Sequence, residues 1–223
     1  MSIAANYRKI TDGLPEGVTL VAVTKTHGPA GIMALYNCGH RIMGENKVQE
    51  LLPKQEALPR DIQWHLVGHL QSNKVKYIAP FVSMIHSVDS LKLLRVIDKE
   101  ARKNDRVIPC LLQIHIAEED TKFGLSFEEA CSLLESPGYR DLDHVAVAGL
   151  MGMATFTEDE NQVRQEFRRL KAYFDRIRGT YFDGKPEFRH LSMGMSDDYP
   201  VAIEEGSTMI RIGTALFGDR EQA

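Results

Sequence analysis

A chain of 223 residues with 43% hydrophobic and 26% charged side chains has enough apolar material for one large core, which excludes a largely disordered protein. A net charge of -4 gives no global pull toward nucleic acid or an anionic membrane, and no apolar run is long enough to span a bilayer. Residues 1–15 lack the apolar stretch of a secretory leader, so a cytoplasmic protein with small-molecule ligands is expected.

Along the chain, residues 3–11 read as a helix that precedes the first strand and is expected to cover the bottom of the fold. Short apolar, β-branched runs follow at 20–23, 41–44, 63–68, 82–88, 107–116, 144–153, 188–192 and 208–213. Helix-like segments separate them, at 29–37, 46–57, 72–78, 90–104, 126–134, 158–178 and 197–204. Strict alternation of this kind implies parallel strands joined by crossover helices, and eight such units in this length predict a single α/β domain, 1–223, closed as a TIM-like (β/α)8 barrel. A doubly wound open sheet is the alternative. Cys38, Cys110 and Cys131 are odd in number, widely spaced and free of any C-x-x-C pair, so they indicate neither a disulfide framework nor a zinc site and read as reduced core thiols.

In a barrel, function collects at the carboxyl ends of the strands. The first run, Leu20-Val21-Ala22-Val23, closes through Thr24 on Lys25, and strand register decides whether that amine faces the interior or water. An inward amine in a dry surround loses its proton more readily and can form a Schiff base; an outward one merely ends a strand. Glu45 and Asn46 follow the second run, and His69, Gln71, Ser72 and Asn73 the third. Ser192 with Gly194, after the seventh, and Gly213 with Thr214, after the eighth, combine hydroxyl donors with glycines that let backbone N–H groups approach an anion. The same residues could equally form tight turns with a helix cap at Ser196 or Thr214. Arg211 alternates with apolar neighbours, so a planar acceptor such as a heteroaromatic nitrogen competes with an ion pair to Glu204 or Glu205 as its partner.

Other patterns carry less. The segment Gly68 to Val75 has the spacing of a P-loop but lacks its second glycine and its Ser or Thr. His65 and His69 are four apart, yet they lie on a strand and the loop after it, without a carboxylate partner. Asp197 and Asp198 complement a helix start. Val163, Phe167, Leu170, Phe174 and Ile177 form the apolar stripe of a helix whose charged face is wet. Lys74, Lys76 and Lys92 are too few to indicate nucleic acid.

Leu20 to Lys25, Gly44-Glu45-Asn46 with Gln49-Glu50, Trp64-His65 with Gly68, and Leu70 to Lys74 together resemble the pyridoxal phosphate homeostasis protein family. Gly149-Leu150-Met151, Leu191 to Asp198 and Arg211 to Gly218 are similar to the remaining signatures of that family, so the resemblance spans nearly the whole chain. One departure is His69, where relatives vary. The resemblance implies a barrel like the amino-terminal domain of alanine racemase, holding pyridoxal 5'-phosphate without established turnover. It further implies Lys25 as the internal aldimine lysine, Ser192, Gly213 and Thr214 on the phosphate, Arg211 facing the pyridine nitrogen, and Asn46 near the cofactor.

A charged arginine beside the pyridine nitrogen would keep that nitrogen unprotonated, which makes the ring a weak electron sink. A racemase would also want a second acid/base group, a tyrosine in alanine racemase by resemblance, for which Tyr199 or His65 are the candidates in this chain. The expectation is therefore a carrier that buffers pyridoxal phosphate through a reversible Schiff base on Lys25 and passes it to apo-enzymes, as a monomer or, alternatively, a dimer. A weakly active amino-acid racemase is the second reading. A Schiff-base aldolase acting on a sugar phosphate is the third.

Overall fold

The computed structural model describes residues 2–118 and 123–218. Eight parallel strands close into one barrel in chain order, so the open-sheet alternative is set aside. They are β1 Thr19–Val23, β2 Ile42–Glu45, β3 Gln63–Leu66, β4 Met84–Val88, β5 Ile108–Gln113, β6 Val145–Met151, β7 His190–Ser192 and β8 Met209–Ile212. Closure is made by β1 pairing with β8, with Val21 opposite Arg211. The helices are α1 Ile3–Thr11, α2 Pro29–Asn37, α3 Val48–Ala57, α4 Val75–Ile78, α5 Leu91–Lys103, α6 Phe127–Glu135, α7 Pro137–Arg140, α8 Glu160–Tyr181, α9 Tyr199–Glu204 and α10 Thr214–Phe217. A 3-10 turn at Ser72–Lys74 runs into α4, which splits the helix expected over 72–78.

Strand alternation sorts the core into two layers. Leu20, Ala22, Leu66, Ile85, Leu112, Leu150, Leu191 and Ile210 face the helices. Val21, Met84, Leu111, Ala148, Met151 and Met209 fill the barrel interior. The helix layer is supplied by faces such as that of α8, where Val163, Phe167, Leu170, Phe174 and Ile177 are all buried. Ser126 starts α6 with a capping box, its hydroxyl on the Glu129 amide and the Glu129 carboxylate on its own N–H.

Two features tighten the wall. At Gly149, φ is 152° and a Cβ would stand 1.8 Å from the His190 carbonyl oxygen, so β6 and β7 meet at a distance only glycine allows. The β5–β6 register also shifts between Cys110 and Leu111, the place where β6 absorbs an extra residue.

The amino-terminal helix does not cover the barrel's bottom. Instead, α1 lies along the side, against α2 and α10. The Asn6 amide donates to the Leu216 carbonyl at 3.0 Å, while Tyr7 meets the His40 ring before β2. The reason is geometric: among the described residues β8 is followed by the short α10, which leaves room for α1 to pack beside it and α2. Of the three thiols, Cys110 alone is fully buried; Cys38 and Cys131 are half-buried rather than core residues.

Candidate functional site

Register answers the question posed by Lys25. Val21 points into the barrel, Leu20 and Ala22 toward the helices, and Thr24 continues on the helix side, where its hydroxyl donates to Glu45. The alternation assigns Lys25 to the barrel mouth, half-buried, and its amine makes no ion pair or hydrogen bond among the described residues.

The turn carrying Lys25 is pinned from outside. The Thr24 hydroxyl and the Lys54 ammonium of α3 both donate to Glu45 Oε1 at 2.5 Å, and Lys54 also donates to the Thr24 carbonyl at 2.8 Å. One turn earlier on α3, the Glu50 carboxylate accepts the Thr26 backbone N–H at 3.1 Å. Thr26 has φ of 68°, a left-handed conformation costly for a β-branched residue, held here by its neighbours. Glu45 is wholly buried, its Oε2 has no hydrogen-bond partner, and burial pushes its carboxyl up from the usual range against the opposing pull of Lys54 and Thr24. Spacing alone did not single out Lys54. Its only trace was a lysine four residues after Glu50 on one helix face.

At the seam, Gly213 sits against the end of β1, since a Cβ on it would lie 3.3 Å from the Val23 carbonyl oxygen. The backbone N–H groups of Gly213 and Ala215 converge on the Ser196 hydroxyl at 3.3 and 3.2 Å, with Thr214 exposed between them. Gly194 makes this possible: its φ is 93°, and a Cβ would approach that of Ala202 to 2.6 Å. Asp198 holds the same loop by accepting the Met195 N–H at 2.5 Å.

Ser192 does not join that group. It points into the barrel, where its hydroxyl accepts from Arg211 Nη1 at 2.7 Å and lies 3.1 Å from His86 Nδ1. Arg211 is also interior, 5% exposed, with Nη2 donating to the Gly152 carbonyl at 3.1 Å. Burial lowers its guanidinium to about 10, with Asp198 pulling the other way, so it stays charged at neutral pH. Its expected ion-pair candidates are engaged elsewhere: Glu204 and Glu205 bind Arg164, and Glu205 also binds Arg168. Asn46, half-buried at the end of β2, lies against Gly68. His65 faces the interior and meets His86, whereas His69 is outside, stacked on Phe123 at 4.8 Å. Tyr199 opens α9 and packs on the outer core.

Lys25, Asn46, Arg211, Gly213 and Thr214 thus gather on three consecutive strands of the closed sheet, β8, β1 and β2, with Ser196 supplied from the loop after β7. A cavity of about 720 Å³ opens next to this arc, between the loops after β6 and β7, lined by residues including Ala154, Thr155, Met195 and Asp198.

The alanine racemase N-terminal domain family matches residues 1–221. The chain is 44% identical over 203 residues to the pyridoxal phosphate homeostasis protein of Aquifex aeolicus, covering 91% of this chain and 87% of that one. The chain belongs to the pyridoxal phosphate homeostasis protein family. A second family member, from Synechocystis, is 40% identical over 216 residues and covers 96% of this chain and 97% of its own length. The solved structure of PipY from Synechococcus elongatus with PLP bound superposes with a TM-score of 0.87 at 35% identity, over 97% of this chain and all of that one. An alanine racemase of Clostridium difficile shares the fold, with a TM-score of 0.78 at 14% identity.

Proposed function

We propose that this chain binds pyridoxal 5'-phosphate and serves vitamin B6 homeostasis as a carrier and buffer of the cofactor; its relatives are named for pyridoxal phosphate homeostasis. The donor set suits the group: an amine on Lys25 that is unpaired among the described residues, a serine with two backbone amides at Ser196, Gly213 and Ala215, and a buried charged guanidinium at Arg211. The single observation that carries the reading is the approach of the Gly213 turn to the end of β1, which puts an anion cradle two residues from Lys25.

Bound pyridoxal phosphate supplies an aldehyde that condenses reversibly with an amine, releasing water. Lys25 would provide that amine. The amides of Gly213 and Ala215, with Ser196 and the exposed Thr214 hydroxyl, hold the phosphate, while Ser192 keeps its place behind Arg211. Arg211 would offer a donor to the pyridine nitrogen, and its charge would disfavour a proton there, which weakens the ring as an electron sink. Asn46 adds an amide at the rim.

The two residues weighed as a second acid/base group are committed elsewhere, His65 to His86 and Tyr199 to the core, which favours carriage over racemisation. We read 1–223 as one domain, cytoplasmic and monomeric, handing the cofactor to apo-enzymes. Among the described residues no helix is long and apolar enough to cross a membrane.

Absorption titration with pyridoxal phosphate tests the reading. The protein gains a Schiff-base band, Lys25→Ala lacks it and keeps weak phosphate-anchored binding, and amino acids incubated with loaded protein keep their enantiomer ratio on chiral chromatography. Sustained enantiomer conversion that disappears in Lys25→Ala would overturn the carrier reading in favour of the racemase.

A further inference from the structure

A polar chain crosses the barrel interior from β8 to β3. Arg211 Nη1 donates to Ser192 Oγ at 2.7 Å, Ser192 Oγ lies 3.1 Å from His86 Nδ1, and His86 Nε2 lies 3.0 Å from His65 Nδ1. All four residues are buried, at 5%, 0%, 0% and 4% exposure from Arg211 to His65, in a space that barrels of this type fill with branched apolar side chains. Hydrogen-bond direction along it follows from chemistry. Arginine only donates, so the Ser192 oxygen accepts from it; His86 Nδ1 is the other hydrogen-bond neighbour of that hydroxyl among the described residues, and the serine proton is assigned to it. His86 then carries its proton on Nε2 and donates to His65 Nδ1, which leaves the His65 proton on Nε2 as well.

We propose that Ser192 and His86 are positioning residues for Arg211: a one-way hydrogen-bond chain, with both histidines as neutral Nε2–H tautomers, fixes the guanidinium as a full positive charge aimed at the ligand's ring acceptor. A carboxylate in place of Ser192 would hold the arginine equally well but would cancel its charge. The neutral chain supplies orientation without neutralisation. Other titratable groups act on it from a distance: His190 on both histidines, His40 on His65 and Asp198 on Arg211. Burial supports the neutral state, depressing His65 to about 3 and His86 well below the usual imidazole value.

The ring acceptor rests on the proposed cofactor; the tautomers do not. The first experiment is therefore long-range 1H–15N correlation on the full-length, ligand-free protein, assigned with His65→Phe and His86→Asn. Both histidines are expected to show protonated Nε2 and unprotonated Nδ1 from pH 5 to 8. An Nδ1–H tautomer on either, or titration of either in that range, overturns the chain.

The second experiment compares pyridoxal phosphate dissociation constants and Tm across variants. Ser192→Ala and His86→Leu weaken binding about tenfold or more, the scale of one hydrogen bond to a charged group. His86→Asn keeps an acceptor for the Ser192 hydroxyl and restores affinity to within a few-fold. Equal affinity in all variants, or equal loss in His86→Leu and His86→Asn following Tm, overturns the positioning role. Failure of the cofactor reading would show separately, as no binding by the unsubstituted protein.

Discussion

The Lys25 turn and the Arg211 strand are neighbours across the β1–β8 seam, yet they are held from opposite sides. Around Lys25 the support is external and ionic: Glu45, Glu50 and Lys54 grip Thr24 and Thr26 between the barrel wall and α3. Around Arg211 it is internal and neutral, built from Ser192, His86, His65 and the Gly152 carbonyl. The difference follows from what each group must do. A lysine that works as a neutral nucleophile is served by charges kept on the far side of the wall, whereas an arginine that works as a cation is served by dipoles that leave its charge intact.

Breaking the ionic support has the largest effect. Lys54→Met leaves Glu45 as an uncompensated buried carboxylate and costs about 3–5 kcal/mol in denaturant unfolding. Adding Glu45→Gln recovers most of that loss, and a double variant as unstable as the single would show the pair is not the cause.

The neutral support is sharpened by pH. Both buried histidines have depressed pKa values in the folded state, so the unfolded chain binds more protons below about pH 6.5 and stability falls as the solution is acidified toward about pH 3. His65 contributes a slope of about 1.4 kcal/mol per pH unit over that window, and His86 acts in the same direction. Glu45, whose carboxyl is raised, acts with the opposite sign, favouring the folded state below its ordinary value and losing that contribution as pH rises. Urea melts between pH 5 and 7 should show a slope that His86→Asn reduces by one histidine's share; an unchanged slope would place the protonation elsewhere.

Smaller effects probe the Lys25 turn itself. Glu50→Ala removes the acceptor of the Thr26 N–H, costs about 1 kcal/mol in the same melts and slows Schiff-base formation in stopped-flow absorption. Thr26→Gly goes the other way, stabilising by up to about 1 kcal/mol because glycine adopts a φ of 68° without strain, partly offset by its unfolded-state entropy.

Much of this was legible in the sequence, for identifiable reasons. Strand and helix alternate so regularly that closure into a barrel follows, and Arg211 alternates with apolar neighbours as an inward residue must. Boundaries ran long where apolar residues continue past a strand: Ile114 and Ile116 extend the fifth run, but β5 ends at Gln113 and Ile114 forms an isolated bridge with Leu125. The side placement of α1 depends on the shortness of α10, a tertiary fact with no local signal. The two serines after Leu191 were hard to tell apart because Gly194, at a φ of 93°, breaks the strand parity between them, sending Ser192 inward and Ser196 to the Gly213 amides. Lys54 was missed because a helix residue reaching back to a strand end follows no spacing rule.

The most direct test of the account is borohydride reduction of the protein saturated with pyridoxal phosphate, followed by peptide mass mapping. A single reduced adduct on Lys25 is the predicted result. An adduct confined to other lysines, or none at all, would contradict the assignment of Lys25 as the group that holds the cofactor.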